Sequence, residues 1–315
     1  MKKAIKCLLI VLCIISILST IGCQGKDQGS KKIVIGFVRS ESNDTWLSYL
    51  HDAFADYFKD KPEYEILWGD GQNDVTRQQD NVHALISQGV KALVIVPVDT
   101  SGTAPITRAA QEAGIPLIYV NRNPFVGTTP PQGVYYCGSD SVVAGHLQME
   151  ELGKRLGGTG EICILMGQLN QEAAQDRTRG VKETIAEKFP NITILAEQTG
   201  NWTRNEGVNV TENWLTAYPN LKAIASNNDE MAMGAIVAIE STGRTGILVG
   251  GTDGNPDALQ ALKDGRLACT VFQDARGQGA GAADYAIRAL KGEKLDPINW
   301  VPYVLITKDN VDKFM

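Results

Sequence analysis

The chain has 315 residues, of which 43% are hydrophobic, 21% charged and 7% aromatic, and its formal net charge is −6 at pH 7. That balance belongs to a folded globular protein and excludes a disordered or collagen-like chain. An acidic surface also argues against nucleic acid or anionic lipid as the principal partner, since either would repel it.

In chain order the first feature is Lys2, Lys3 and Lys6 ahead of an apolar stretch from Cys7 to Leu18, closed by small residues before Cys23. This reads as an export signal over residues 1–22, too short and wrongly flanked for a membrane span. Small residues before a Cys resemble a lipobox, although Thr20 stands where that motif has Leu; Cys23 is then the lipidation site, and 23–32 form the lipidated Cys and a flexible tether. Loss of three lysines and no acid moves the net charge from −6 to about −9. Of the six cysteines, Cys137, Cys163 and Cys269 remain as an odd set without CxxC spacing, which reads as buried thiols and not as a redox or metal site. His51, His83 and His146 are isolated in helical patterns, and no metal site is expected.

Beyond the tether, apolar runs alternate with helical stretches: IVIGFV from Ile33, EILWG from Glu65, ALVIVP from Ala92 and PLIYVN from Pro116. A second set follows, with EICILMG from Glu161, ITILAEQ from Ile192, AIASNN from Ala223 and ILVGGTD from Ile247. Such a pattern predicts parallel sheets buried on both faces by helices. The sets keep an almost constant offset, 129 from Ile33 to Ile162 and 131 from Ala92 to Ala223 and from Leu117 to Leu248, so two lobes of one topology are expected. VYYCGSD from Val134, CTVFQD from Cys269 and a last strand VPYVLIT from Val301 imply that the chain crosses between lobes more than once. The expected α/β fold therefore has two similar lobes, each a parallel sheet flanked by helices, joined by a three-crossing hinge. Its N-terminal lobe comprises 33–139 plus 275–299 and its C-terminal lobe 141–273 plus 301–315, with hinges at Ser139 to Ser141, Gln273 to Ala275 and Asn299 to Val301.

Polar residues gather where strands end: Asn121 and Arg122, Asn228 and Asp229, Asp253, and Gln273 and Asp274. Ligands of open parallel sheets bind beyond those ends, so two facing lobes would place both sets in one cleft. Enzyme readings fail on placement. GQGAGA from Gly277 satisfies GxGxxA, but it opens a late helix where a dinucleotide fingerprint belongs in the first turn. No nucleophile elbow, phosphate loop or metal-protease motif occurs, and no cofactor is expected. Asp253, Asn255, Asp257 and Asp264 have calcium-loop spacing, but Ala258 replaces the required Gly and Pro256 marks a helix start.

The segments SESNDTWLSYL, KALVIVPVD, IPLIYVNR, DRTRG, NDEMAMGA, VGGTDGNPDAL and CTVFQD, in this order and spacing, resemble the periplasmic sugar-binding family of ABC transporters that includes the ribose and galactose binding proteins. The resemblance covers nearly everything after the tether. It implies the type I periplasmic binding fold and an extracytoplasmic monomer without enzymatic activity, which lipid on Cys23 would hold to the membrane. Such a protein binds one monosaccharide or polyol of the pentose, hexose or inositol class and delivers it to a membrane permease. The alternative partner is a chemoreceptor or sensor kinase that reads the closed form.

By the same resemblance, Asp44 accepts ligand hydroxyls and Trp46 offers a stacking face, with Asn121 and Arg122 completing that lobe. Arg177, Trp202, Asn228, Asp253 and Gln273 face them from the other. Carboxylates and guanidinium groups suit paired sugar hydroxyls, and indoles suit the apolar C–H faces of the ring. The sequence departs from the ribose type at Asn121 and Leu47, and from the galactose type at Gln171 and Ala173. Each residue also has an ordinary structural role open to it, Asp44 and Asn228 as helix caps and the tryptophans as core.

Overall fold

The computed structural model describes residues 32–315, so the export signal, Cys23 and the tether up to residue 31 lie outside the described residues. The chain runs β1 (Ile33–Arg39), α1 (Thr45–Tyr57), β2 (Tyr64–Asp70), α2 (Val75–Ser87), β3 (Ala92–Ile95), α3 (Ala104–Glu112), β4 (Leu117–Val120) and β5 (Val134–Gly138). It continues with α4 (Ser141–Arg155), β6 (Thr159–Met166), α5 (Glu172–Lys188), β7 (Asn191–Thr199), α6 (Arg204–Ala217), β8 (Leu221–Ser226) and α7 (Asp229–Ser241). Last come β9 (Leu248–Asp253), α8 (Pro256–Asp264), β10 (Cys269–Phe272), α9 (Ala275–Leu290), β11 (Ile298–Trp300) and β12 (Val304–Ile306).

Side chains set the helix starts at the cleft. Asp44, Asp74, Asn228 and Asp274 each accept a backbone N–H of the first turn, from Leu47, Arg77, Met231 and Gly277 respectively. That satisfies donors the helix itself leaves open. Pro256 begins α8, and Gly265, at φ 81°, ends it in the left-handed conformation a Cβ disfavours.

The strands form two sheets of the same order, β11-β5-β4-β3-β1-β2 and β12-β10-β9-β8-β6-β7. β3 and β4 are buried at every residue, as a strand covered on both faces must be. Separate apolar clusters lie on the two faces of each sheet. In the first, Phe37, Leu50 and Phe54 pack opposite Leu93, Ile95 and Tyr119; in the second, Leu165, Trp214 and Met231 pack opposite Met149, Ile164 and Val181. Cys137, Cys163 and Cys269 are free, buried thiols, and burial pushes the Cys137 thiol up to about 12.

The last expected strand, from Val301, is shortened to Val304–Ile306, and a further strand that was not expected, Ile298–Trp300, precedes it. Ile298–Trp300 pairs parallel with β5, whereas Val304–Ile306 pairs antiparallel with β10. The reversal follows from connectivity. β5 and β10 cross the cleft into helices, which turn the chain round before the next strand, but β11 crosses directly into β12. A strand entering a sheet from its cleft end can only run away from the cleft.

Helix pairs on the outside touch backbone to backbone. A Cβ on Gly145 of α4 would strike the Arg177 carbonyl of α5, and one on Gly180 would strike the Val142 carbonyl. Gly207 and Gly234 make the same approach between α6 and α7. Gly145→Ala is therefore expected to push α5 outward and lower stability by about 1–3 kcal/mol, checked by urea unfolding.

Candidate functional site

Between the two sets of strand ends lies a cavity of about 340 Å³, lined by Asp44, Trp46, Leu47, Asn121, Arg122, Gln171, Ala173, Arg177, Trp202, Asn228, Asp253 and Gln273. All nine side chains singled out from the sequence lie on its wall.

Arg177 organises the second lobe's share. On α5 and only 5% exposed, its Nη1 donates to the Asn227 carbonyl (2.6 Å), and its Nη2 to Gln273 Oε1 (2.8 Å) and the Tyr303 hydroxyl (3.0 Å). Asp253 Oδ1 lies 3.8 Å from Nη1, and the guanidinium carbon sits 5.6 Å from the Trp202 ring centre. Arg177 Nε is buried with no partner among the described residues. Burial opposes the charge, but Tyr303 and Asp253 outweigh it, and the guanidinium stays protonated. Burial raises the Asp253 carboxyl, against the pull of Arg177 and with a further push from the Asp229 carboxylate.

Asp253 has φ 137°, a conformation L-residues rarely adopt. Asp229 holds it there: its Oδ2 accepts the Gly254 and Asn255 amides at 2.8 and 2.9 Å, and its Oδ1 accepts the Thr270 hydroxyl at 2.7 Å. Bare Gly251 leaves room for this carboxylate. Trp202 is likewise at positive φ, 66°. Its Nε1 donates to Gln171 Oε1 (2.7 Å), its carbonyl accepts Asn228 Nδ2 (3.1 Å), and its indole occupies the space a Cβ on Gly167 would need. Such strain persists only where neighbours enforce it, and such positions cluster at functional sites.

In the first lobe Arg122 is 3% exposed, donates from Nη1 to the Pro97 carbonyl (2.8 Å) and lies 3.6 Å from Glu41. Asn121, at φ 69°, donates from Nδ2 to Gln278 Oε1 (3.3 Å). Asp44 caps α1 with Oδ1, and among the described residues its other oxygen accepts nothing. Trp46 Nε1 donates across the cleft to the Gln273 carbonyl (3.1 Å). Asp44 and Asn228 thus fulfil their structural roles while lining the cavity.

Gln171, Leu47 and Ala173 also line the cavity. Sequence reasoning noted them as departures and gave them no place in the site. Asp229 and Tyr303 support the wall from behind. Asp229 was noted only among the polar residues that end strands, and Tyr303 carries no signal.

Residues 35–294 match the periplasmic binding protein domain. The chain belongs to that family. A protein of Rhizobium meliloti named for rhizopine binding is 38% identical over 89% of this chain and 92% of its own. The ribose import binding protein of Escherichia coli is 33% identical over 88% and 91%. Among solved structures, an ABC transporter solute-binding protein from Bacillus halodurans with bound myo-inositol superposes with a TM-score of 0.84, at 38% identity over 91% of this chain and 98% of that one. The family is one of solute-binding proteins for transport and not of enzymes, and it implies export.

Asp229 supplies a test of the strained wall. Burial raises its carboxyl from 3.8 to about 6, so its contribution to stability is fully present below about 4 and is lost as pH rises through 6. In Asp229→Asn the amide oxygen still accepts both N–H groups, while its NH₂ donates to Thr270. The variant should fold and lose that part of the pH profile, on the order of 3 kcal/mol between pH 4 and 7 by urea unfolding.

Proposed function

We propose that this protein captures one neutral monosaccharide or cyclitol between its lobes and presents it to an ABC permease. The observation that carries this is the ionic wall of the cavity between the lobes: Arg122 and Arg177 against Asp44 and Asp253, flanked by Trp46 and Trp202. Opposite charges in equal number suit a ligand rich in hydroxyls and without net charge, each hydroxyl meeting a charged donor or acceptor. The unpartnered Arg177 Nε and the free Asp44 oxygen suit such groups. The indoles suit a ring's C–H faces.

Relatives narrow the class. The Bacillus halodurans structure holds myo-inositol, and a xylitol-binding protein of Mycolicibacterium smegmatis is 37% identical over 79% of this chain and 70% of its own. In this reading Asp44, Trp46, Asn121 and Arg122 form one half-site. Arg177, Trp202, Asn228, Asp253 and Gln273 form the other. The lobes 33–139 plus 275–299 and 141–273 plus 301–315 hinge at the three crossings, and the protein acts as a monomer held to the membrane by lipid on Cys23.

A thermal-shift screen against myo-inositol, xylitol, D-ribose and D-allose, with D-glucuronate as an anionic control, checks the class. At least one neutral polyol should stabilise the protein, by about 4 kcal/mol at a thousand times Kd, with no effect from the anion. Stabilisation by the anion alone would refute a neutral ligand. Asp253→Ala should fold yet bind about 5- to 150-fold more weakly, through loss of a buried acceptor. For anchoring, Cys23→Ala should move the protein from the membrane to the soluble fraction, and an unchanged distribution would mean that no lipid is attached there.

A further inference from the structure

Beside the cavity the lobes are also joined by a seam of contacts, of which only Gln171 belongs to the wall. The Thr100 amide donates to the Asn170 carbonyl (3.4 Å), the Glu172 amide to Thr100 Oγ1 (3.2 Å), and Asn170 and Gln171 reach the Val98 carbonyl, each at 3.5 Å. At the centre of this seam Glu172, the first residue of α5, extends its carboxylate to the other lobe, where Oε2 accepts the Asn123 amide at 3.2 Å. The Ser141 hydroxyl, where β5 has just crossed into α4, approaches the same carboxyl. Glu172 is 7% exposed and lies outside the cavity lining. A carboxylate from one lobe is thus buried by the other, against the segment on which they hinge.

We propose that Glu172 takes up one proton when the lobes close, making closure, and through it ligand affinity, dependent on pH. This rests on the binding reading above and adds a positioning residue to it.

The electrostatic surroundings support the assignment. Asp176 and Arg177 face Glu172 from its own helix, Arg122 from the loop after β4, Tyr136 from β5 and Tyr303 from the last crossing. Burial dominates and raises the carboxyl to about 7, against the hydrogen bonds from Ser141 and the Asn123 amide and the charge of Arg177. With the lobes apart, the Asn123 contact is gone and water reaches Glu172, which returns toward an ordinary value of about 4.3. A group that binds its proton more tightly in the closed state favours that state when protonated. Its contribution to closure is therefore complete below about 4.3 and is lost as pH rises through 7. The neutral acid suits the seam, its carbonyl accepting the Asn123 amide and its hydroxyl donating to Ser141. Gln offers the same acceptor and donor without a charge.

The test is calorimetric binding of myo-inositol, xylitol, D-ribose and D-allose at pH 6, 7 and 8 to wild type, Glu172→Gln and Glu172→Ala. Wild type should bind its best polyol roughly 10-fold more tightly at pH 6 than at pH 8, with proton uptake on binding near neutrality. Glu172→Gln should lose that component and bind at pH 8 at least as tightly as wild type, whereas Glu172→Ala should bind more weakly at every pH. Asp229 and Asp253 remain in all three proteins, so the difference between wild type and Gln isolates Glu172. Identical pH profiles for those two, or a Gln variant weaker throughout, would overturn the proposal. Should wild type bind none of the four, the ligand class fails instead. Interlobe distances between spin labels in sugar-free protein then decide: a shift toward the closed distance from pH 8 to pH 6 in wild type and not in Gln is expected, and equal behaviour overturns the coupling.

Discussion

A single buried guanidinium holds the second half of this cleft together. Arg177 is only 5% exposed, and a buried charge persists only when its surroundings satisfy it. Its partners are the residue after β8 (Asn227), the last residue of β9 (Asp253), the residue after β10 (Gln273) and the crossing between β11 and β12 (Tyr303). Adjacent elements of one sheet thereby converge on one point at the cleft. The position of that point depends on α5, whose approach to α4 is set by the missing Cβ atoms of Gly145 and Gly180. Helix packing on the outside and cavity geometry on the inside are two ends of one mechanical chain.

The first lobe reaches a comparable result by lighter means. Arg122 is held by a carbonyl and Glu41, Asn121 by Gln278 of a helix that begins just after the chain recrosses the cleft, and Trp46 by the Gln273 carbonyl opposite. The Trp46 bond ties α1 of the first lobe to the residue after β10, so the indole donor is satisfied across the cleft. Exclusion of water then strengthens every charge-assisted contact inside. A cavity wall of two cations and two anions, useful only weakly in open water, becomes a selective polar surface when the lobes meet.

Backbone strain is concentrated at the same place. Asn121, Trp202 and Asp253 all line the cavity with positive φ, and each is fixed by neighbouring side chains: Tyr136 and Gln278 for Asn121, Gln171 and Asn228 for Trp202, Asp229 for Asp253. Asn tolerates the left-handed region through its short polar side chain, but Trp202 there, and Asp253 at φ 137° beyond it, persist only under restraint. The residues supplying the restraint, Gln171 and Asp229 above all, are as much a part of the site as those on its surface.

The sequence by itself determined the alternation of buried strands and helices, the internal repeat and the polar residues that end the strands. These are local properties: apolar runs, capping residues and offsets of 129 and 131 survive in one dimension because each is set by neighbours along the chain. Strand ends pointed in this way to Asn121, Arg122, Asn228, Asp253 and Gln273, whereas Asp44, Trp46, Arg177 and Trp202 were named only through the resemblance to the sugar-binding family. Only the tertiary structure decided that Val304–Ile306 runs antiparallel, since that depends on a strand crossing the cleft without an intervening helix. It alone brought Tyr303 to Arg177, a pairing across 126 positions, and set Glu172 of one lobe against the Asn123 amide of the other. Glu172 is an unremarkable helix-starting acid in the sequence; its burial between two bodies arises from how they close, which no local pattern encodes.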